Sequence, residues 1–460
     1  MASKSKRARL APKRNISKAL LYWAISVFII KLIIIVNIPA GVQTSGNNSY
    51  LIDGIWLGAD GENYLKGYYG LLKDGVFSTE NLLSYWPAGY PLVILLLSLL
   101  GKSFVLTTLS ITQSLIYSFA AYFFASQLAK TRLRKFANLV FAMILLNPTL
   151  SLSSIAIGYE SLTASGYLIV VGLIIKDFIQ KDDSKLLKYV VISSTVVGIM
   201  SFMQPRLIVS GILINLIWIL IRKPIKSSYL LLITTLALTL FFPATLIYRN
   251  NKAIGVNSIS TNLGVTMNIG AGDKATGGYS SKDFGVPCEI SGSDAQKDNQ
   301  RVACVLKWYL NNPIKAGKLF YNKTLYFWSP WDGHLANGTM ARNPWLKISP
   351  IVDIQNNSEN GDKLVRGPIG WLFSWLWLLG GLGLVIYGFV ILWRLKQLEK
   401  LIGLAAIIIV GSNWLISLIS IGDHRFRLPV MGMSLFLQAV GLKTIFKAGK
   451  PPIVDGPSLR

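Results

Sequence analysis

Four short stretches of this chain carry the residue types from which a reaction could be built. Asp60 and Glu62 stand together in LGADGENYLKGYYG, and Glu160 lies in GYESLTASGYL. Arg249 and Asn250 open a glycine- and asparagine-rich stretch, RNNKAIGVNSISTNLG, that also holds Asn262. Arg425 and Arg427 lie in GDHRFRLP, residues 422–429. A carboxylate can take the proton of a hydroxyl group. Arginine forks grip phosphate in a bidentate way. A segment rich in Gly and Asn lets backbone N–H groups approach a ligand closely. Brought to one place, these groups suit a ligand with a phosphate and an acceptor with a hydroxyl.

Each group also has a plainer reading. Asp60 precedes a helical pattern and could cap it. Glu160 could cap or begin the span that follows. Arg425 and Arg427 could snorkel to the membrane interface. Lys31, in the middle of an apolar run, reads as a buried pair or a snorkelling side chain. Asp53 and Asp423 read as solvated loop charges. The two histidines, His334 and His424, lie far apart, which argues against a histidine zinc site. A carboxylate-bound divalent cation, Mg²⁺ or Mn²⁺, stays open, because such a site leaves no spacing signature. No Ser-His-Asp, P-loop or CxxC pattern stands out.

The elements that must position these residues are membrane spans. Of 460 residues 52% are hydrophobic and 15% charged, too few charges to solvate a soluble surface. The apolar residues form long runs, several near the ~20 needed to cross a bilayer core. The first run lacks a small-residue cleavage site, so it reads as a retained span. The formal charge of +25 is distributed as topology requires. With the N-terminus inside and each span changing sides, segments 1–18, 130–135, 176–188, 222–226, 394–400 and 443–460 are cytoplasmic. They hold 25 of the 46 Lys and Arg but 5 of the 21 Asp and Glu. This accounts for the basicity without nucleic acid; the tail 4–18 reads as a topology anchor touching anionic lipid.

The parity holds only if the apolar run 91–100, too short to span, is interfacial or re-entrant. Ten spans then run near 20–38, 104–129, 135–152, 160–178, 186–203, 205–222, 227–248, 369–394, 399–420 and 428–447. Residues 62–73 are expected to form an interfacial helix. The organisation is thus a basic tail (1–18), an N-terminal transmembrane module (19–248) with a first outer loop (40–103), a large outer loop (249–368), C-terminal spans (369–447) and a cytoplasmic tail (448–460). Within the large loop, 298–328 reads as one helical stretch. Cys288 and Cys304, an even count in an exported segment, are a disulfide candidate. Glycines 380, 381, 383 and 388 read as helix-packing residues and not as a dinucleotide loop. This parity puts Asp60, Glu160, the 249–279 stretch and RFRLP on one outer face.

In this order, DGENYLKGYYGLLKDGVFS with WPAGYPLVILLLSLLG, NPTLSLSSIAIGYESL, RNNKAIGVNSISTNLGVTMNIGAGDKATGGY and GDHRFRLPV resemble the GT-C fold membrane glycosyltransferases that use polyprenyl-phosphate sugars. These are akin to protein O-mannosyltransferases and bacterial lipid A aminoarabinose transferases, and the likeness to the bacterial branch covers nearly the whole chain. The resemblance implies a catalytic role for Asp60, a supporting one for Glu160, and phosphate recognition by Arg425 and Arg427. Glu62, Arg249, Asn250 and Asn262 fall in its substrate-binding stretches. An Arg-Pro pair common in the family stands here as Gln204-Pro205-Arg206, and Phe426 replaces a Tyr.

The reading is therefore an all-α polytopic membrane protein, GT-C-like, with about ten transmembrane helices, interfacial helices in the first outer loop and a mixed outer-loop domain. Its expected activity is inverting transfer of a sugar from a polyprenyl-phosphate donor to a hydroxyl of a glycan, lipid or protein, at the outer face of the cytoplasmic membrane. The alternatives are a polymerase of lipid-linked glycans and a non-enzymatic transporter or flippase. A transporter should carry charges deep along its spans, where only Lys31 is found here.

Overall fold

The computed structural model describes residues 16–38, 41–45, 48–57, 60–222, 228–279, 285–330 and 367–446. The basic tail 1–15, the loop segment 331–366 with His334, and the tail 447–460 lie outside the described residues. Among the described residues, nine helices are long and apolar enough to cross a membrane, and a tenth if one bent pair counts as a single span. The chain is an all-α multi-pass membrane protein; its named strands among the described residues are those of one short antiparallel hairpin.

The first span, α1 (Ile16–Val36), is followed by that hairpin, β1 (Gly41–Ser45) and β2 (Asn48–Ile52), in register Val42↔Leu51. The sequence reading took this stretch for plain loop. Three short helices complete the first loop: α2 (Gly61–Asp74), α3 (Leu82–Tyr85) and α4 (Gly89–Ser98). Helix α4 has ten residues and does not span, as the charge parity required. Its N-terminal glycine touches the Phe202 carbonyl, where any Cβ would collide. This contact ties the first loop to the chain at Phe202.

The remaining spans are α5 (Val105–Leu128), the bent pair α6 (Arg134–Leu145) and α7 (Pro148–Leu152), α8 (Glu160–Gln180), α9 (Asp183–Met203), α10 (Ile208–Arg222) and α11 (Ser228–Ile254). The region expected as a straight span over 135–152 bends by 54°. Pro148 cannot donate to the α6 ladder, so the chain restarts there, with Asn147 Oδ1 accepting from the Leu150 N–H. Helix α11 runs to Ile254, so Arg249 and Asn250 are helical and not loop residues as expected.

Beyond α11 come α12 (Leu263–Ile269), α13 (Asp294–Asn311) and α14 (Pro313–Trp328). The single helix expected over 298–328 is two helices, broken where Pro313 takes the first helical position after Asn312. Val305, Tyr309, Ala316 and Leu319 close a small core with Met267 and Val286. Cys288 and Cys304 form a disulfide across this module. Three spans finish the described chain: α15 (Pro368–Trp393), α16 (Gln397–Ile419) and α17 (Leu428–Ile445).

Helices α8 and α17 sit at the centre of the bundle, and 72% of the span window of each is buried. At the rim, α1, α11 and α15 leave Ile33, Leu236, Phe241, Trp371 and Leu376 exposed. Lipid is the solvent for such a surface. In α15, Gly388 lies against the Leu437 carbonyl and is a packing glycine, whereas Gly380 and Gly383 meet nothing within 4 Å.

Candidate active site

A single backbone pairing sets the site. Trp56 and Ala156 form an isolated parallel bridge: the Trp56 N–H donates to the Ile155 carbonyl (2.9 Å), and the Ile157 N–H donates to the Trp56 carbonyl (2.8 Å). Each partner lies four residues before a carboxylate, Trp56 before Asp60 and Ala156 before Glu160. Thus 100 residues of intervening chain return to bring two acidic side chains to one end of the bundle.

The 153–158 segment is held by a buried polar hub. Gln113, on α5, donates its Nε2 to the carbonyls of Ser154 (3.1 Å) and Ala156 (3.0 Å). Its Oε1 accepts from the Tyr90 hydroxyl (2.9 Å), and that hydroxyl accepts from the Gly158 N–H (2.8 Å). Lys31 donates to Ser154 Oγ (3.0 Å) and lies 4.4 Å above the Tyr117 ring. It is buried and bound to a hydroxyl rather than snorkelling. Tyr64 packs edge-on against Tyr90 and Tyr159, forming an aromatic wall beside the carboxylates.

Between Asp60 and Glu160 lies Arg425. Its Nη1 donates to Asp60 Oδ2 (2.5 Å), and its Nε donates to Glu160 Oε1 (2.9 Å). Both Arg425 and Glu160 are 2% exposed at the side chain and Asp60 is 12%. Asp60 occupies the N-cap position of α2 with a left-handed φ of 56°, yet its side chain makes no capping bond. Its carboxylate is turned to the arginine. Glu160 is the first residue of α8.

The turn His424–Arg427 that carries Arg425 is fixed from several sides. Asp423 Oδ1 accepts from the Arg425 backbone N–H (2.8 Å), and Asn413 donates to the Phe426 carbonyl. Gly422 donates to the Gly277 carbonyl (2.9 Å) and rests on the Lys323 backbone, where a Cβ would clash. Lys323 is itself buried and donates to the Tyr309 hydroxyl (2.7 Å) and the Leu418 carbonyl (2.9 Å). Burial holds the Lys323 amine down to about 7. The loop module α12–α14 therefore clamps the turn onto the bundle.

Arg206 and Arg427 complete the cationic side. The Arg206 guanidinium stacks 4.2 Å from the Phe426 ring centroid. Its Nε and Nη2 are buried without a hydrogen-bond partner among the described residues, and it feels the charges of Glu160 and Arg425. Arg427 is spent differently: it donates to the carbonyls of Trp328 (2.9 Å) and Ser329 (3.3 Å) at the end of α14.

No family model matches this sequence, and no curated protein matches it. Among solved structures, the chain is similar to the oligosaccharyltransferase of Archaeoglobus fulgidus. It matches the apo form at 12% identity and a TM-score of 0.45, covering 93% of this chain and 51% of that one. The form in complex with an inhibitory peptide and a dolichol-phosphate gives the same identity, TM-score and coverage. The form tethered to an acceptor peptide gives 13% identity and a TM-score of 0.44, with 93% and 50% covered. The chain spans about half the length of these structures. Likenesses this distant assign it no activity.

The other expected site residues stand farther from the arginine bridge. Arg249 donates to the carbonyls of Val76 (3.1 Å), Leu83 (3.1 Å) and Ser78 and to Asn250 Oδ1 (2.8 Å), anchoring the first loop to α11. Asn250 in turn donates to the carbonyls of Ser258 (2.8 Å) and Ile259 (3.1 Å). Asn262 caps α12 by position and accepts from Ser260 Oγ (3.3 Å); its neighbour Thr261 donates its N–H to the Ser84 carbonyl (2.9 Å). Glu62 lies in the first turn of α2, half-buried. Asp423, expected as a solvated charge, is 1% exposed, and burial pushes its carboxyl up to about 7. Two adjacent arginines were the signal that could have revealed it: a carboxylate inside DHRFR has cations to face.

Proposed function

We propose that this protein is a membrane glycosyltransferase. It moves a sugar from a polyprenyl-phosphate donor to a hydroxyl of a glycan, lipid or protein acceptor. The site lies at the outer face of the cytoplasmic membrane, with both termini inside. The observation that carries this reading is the arginine that joins Asp60 to Glu160 at one end of the bundle.

Asp60, the more exposed of the two carboxylates, takes the acceptor proton as the oxygen attacks the anomeric carbon. The bond between that carbon and the phosphate oxygen breaks, configuration inverts, and the lipid phosphate leaves. Glu160, fully buried, holds Arg425 and through it the orientation of Asp60. The donor phosphate is met by Arg425 together with Arg206, whose unbonded Nε and Nη2 offer donors in a low-dielectric setting. Arg427 supports the site through α14 and does not touch the phosphate. This departs from the sequence expectation, which paired Arg425 with Arg427.

The test is transfer from a labelled polyprenyl-monophosphate sugar by membranes containing the protein. Asp60→Asn should insert normally and lose roughly 10²–10⁴-fold in transfer rate, the range for removal of a general base. Wild-type transfer by that variant refutes the base. Failure of the wild-type protein to use any such donor refutes the reading as a whole.

A further inference from the structure

Two carboxylates converging at the end of a helix bundle are the usual beginning of a divalent-cation site, and a metal ion was left open by the sequence. The geometry argues for a different cation. Arg425 offers separate edges of one planar guanidinium to the two acids, Nη1 to Asp60 at 2.5 Å and Nε to Glu160 at 2.9 Å. Two bonds from different nitrogens fix both position and plane, so the positive charge sits where a metal would have to sit. Nor is the arginine a loose side chain that a metal could displace. It is 2% exposed, its backbone N–H is bound by Asp423, and the turn around it is held by Asn413 and by Gly422 on Lys323.

The ligand supply points the same way. Mg²⁺ and Mn²⁺ favour about six oxygen ligands, commonly one or two carboxylates with waters and substrate phosphates, and here both converging carboxylates are already bonded to Arg425. Asp423, a further acid beside Arg425, gives Oδ1 to the Arg425 amide. Among the described residues no group of three or more His, Cys, Asp or Glu could hold a metal ion. An added dication would also face the guanidinium of Arg425, which is bonded to both acids.

We infer that Arg425 is the resident cation of this site and that sugar transfer requires no divalent metal, an inference resting on the glycosyltransferase reading for its activity arm only. In this role Arg425 neutralises Glu160, keeps Asp60 aimed at the acceptor, and presents its remaining edge to the departing phosphate. The lipid phosphate of the donor is then met by arginine rather than by a metal ion.

The experiment uses the purified full chain in detergent, with Mn²⁺ as probe, followed by electron paramagnetic resonance. Wild type is expected to bind no Mn²⁺ that depends on Asp60. Arg425→Ala, which leaves two facing carboxylates without a cation, is expected to gain at least about tenfold in Mn²⁺ affinity, because one adjacent unit charge outweighs that factor at such distances. Adding Glu160→Gln should abolish the gain. In parallel, wild-type transfer should be unchanged in excess EDTA. The inference is overturned if wild type binds Mn²⁺ at a site removed by Asp60→Asn, or if EDTA stops transfer and Mg²⁺ or Mn²⁺ restores it. Should Arg425→Ala fail to fold, the wild-type Mn²⁺ measurement still decides. Should no polyprenyl-phosphate sugar serve as donor, the functional reading fails while the Mn²⁺ measurement stands.

Discussion

Gln113 is the residue through which the bundle interior controls the site, and Gln113→Leu tests this. In the native structure its amide donates to two buried carbonyls, Ser154 and Ala156, and its oxygen accepts from Tyr90. Leucine has a similar reach and no polar atom. The substitution removes the Gln113 partner from two carbonyls and from the Tyr90 hydroxyl, each loss costing roughly 1–3 kcal/mol when buried. Burial of a larger apolar side chain offsets part of this, about 1–2 kcal/mol. The net loss is about 2–7 kcal/mol, concentrated in the 153–158 segment. That segment pairs with Trp56 and so sets the approach of Asp60 to Glu160. Transfer should therefore fall through kcat, with a smaller change in KM, since geometry at the reacting atoms suffers before donor binding does. Tyr90→Phe removes one hydroxyl from the same hub and should give a smaller loss of the same kind. The assay is a thermal melt in detergent paired with steady-state transfer from a labelled polyprenyl-monophosphate sugar. If Gln113→Leu melts with wild type and keeps its kcat, the hub does not hold the carboxylates in register, and the reasoning from Trp56–Ala156 to the site fails.

Two further outcomes follow from the loop module and its turn. Asp423 has a carboxyl raised from an ordinary 3.8 to about 7 by burial. Between those values the unfolded chain gives up a proton that the folded chain keeps, so stability falls as pH rises through this window and no further above it, by up to about 4 kcal/mol. Asp423→Asn keeps an oxygen for the Arg425 N–H and removes this loss. Its melting temperature relative to wild type should rise between about pH 4 and pH 8, and a pH-independent difference would sink the assignment. The Cys288–Cys304 bridge closes a loop of 16 residues in sequence separation, worth about 3 kcal/mol in a chain-entropy account. Replacing both cysteines by serine should destabilise the 260–329 module by that order, read as faster proteolysis of the loop, with the spans intact. Unchanged proteolysis would show that the small core around Val305 and Leu319 suffices.

Much of the frame was legible because the bilayer imposes strong rules. Span length and the basic residues between spans determined the count, and shortness together with charge parity excluded the run at 91–100, which falls on the ten-residue α4. What escaped had local causes that apolar runs do not report. Helix α11 continues past the membrane-length segment into Arg249 and Asn250, because polar residues extend a helix as readily as apolar ones once its ladder is running. Pro148 and Pro313 were visible as residues, but a run of apolar or helix-forming neighbours concealed that they break α6–α7 and α13–α14. The parallel bridge at Trp56 had no signature, since two strands of one residue each carry no periodicity.

The arginines show the same limit at the level of chemistry. Arg206, Arg249, Arg425 and Arg427 are alike in sequence terms: each is a cation beside an apolar segment. The fold divides them by what remains unbonded. Arg249 gives its N–H groups to backbone carbonyls of the segments it tethers and to Asn250, while Arg427 gives Nη1 and Nη2 to the Trp328 and Ser329 carbonyls and keeps one buried Nε without a partner among the described residues. Arg425 gives two of its edges to carboxylates, and Arg206 has an aromatic ring on one face and unpaired donors on its rim. A guanidinium whose Nη groups are held by carbonyls has little left for a phosphate, while one with two buried empty donors is destabilised until an anion arrives. Arg206→Met should accordingly weaken donor binding more than it lowers kcat, whereas Arg427→Met should lower the melting temperature without a selective rise in donor KM. The reverse pattern, read in the same transfer and melting assays, would return the phosphate to Arg427 and assign Arg206 to packing against Phe426.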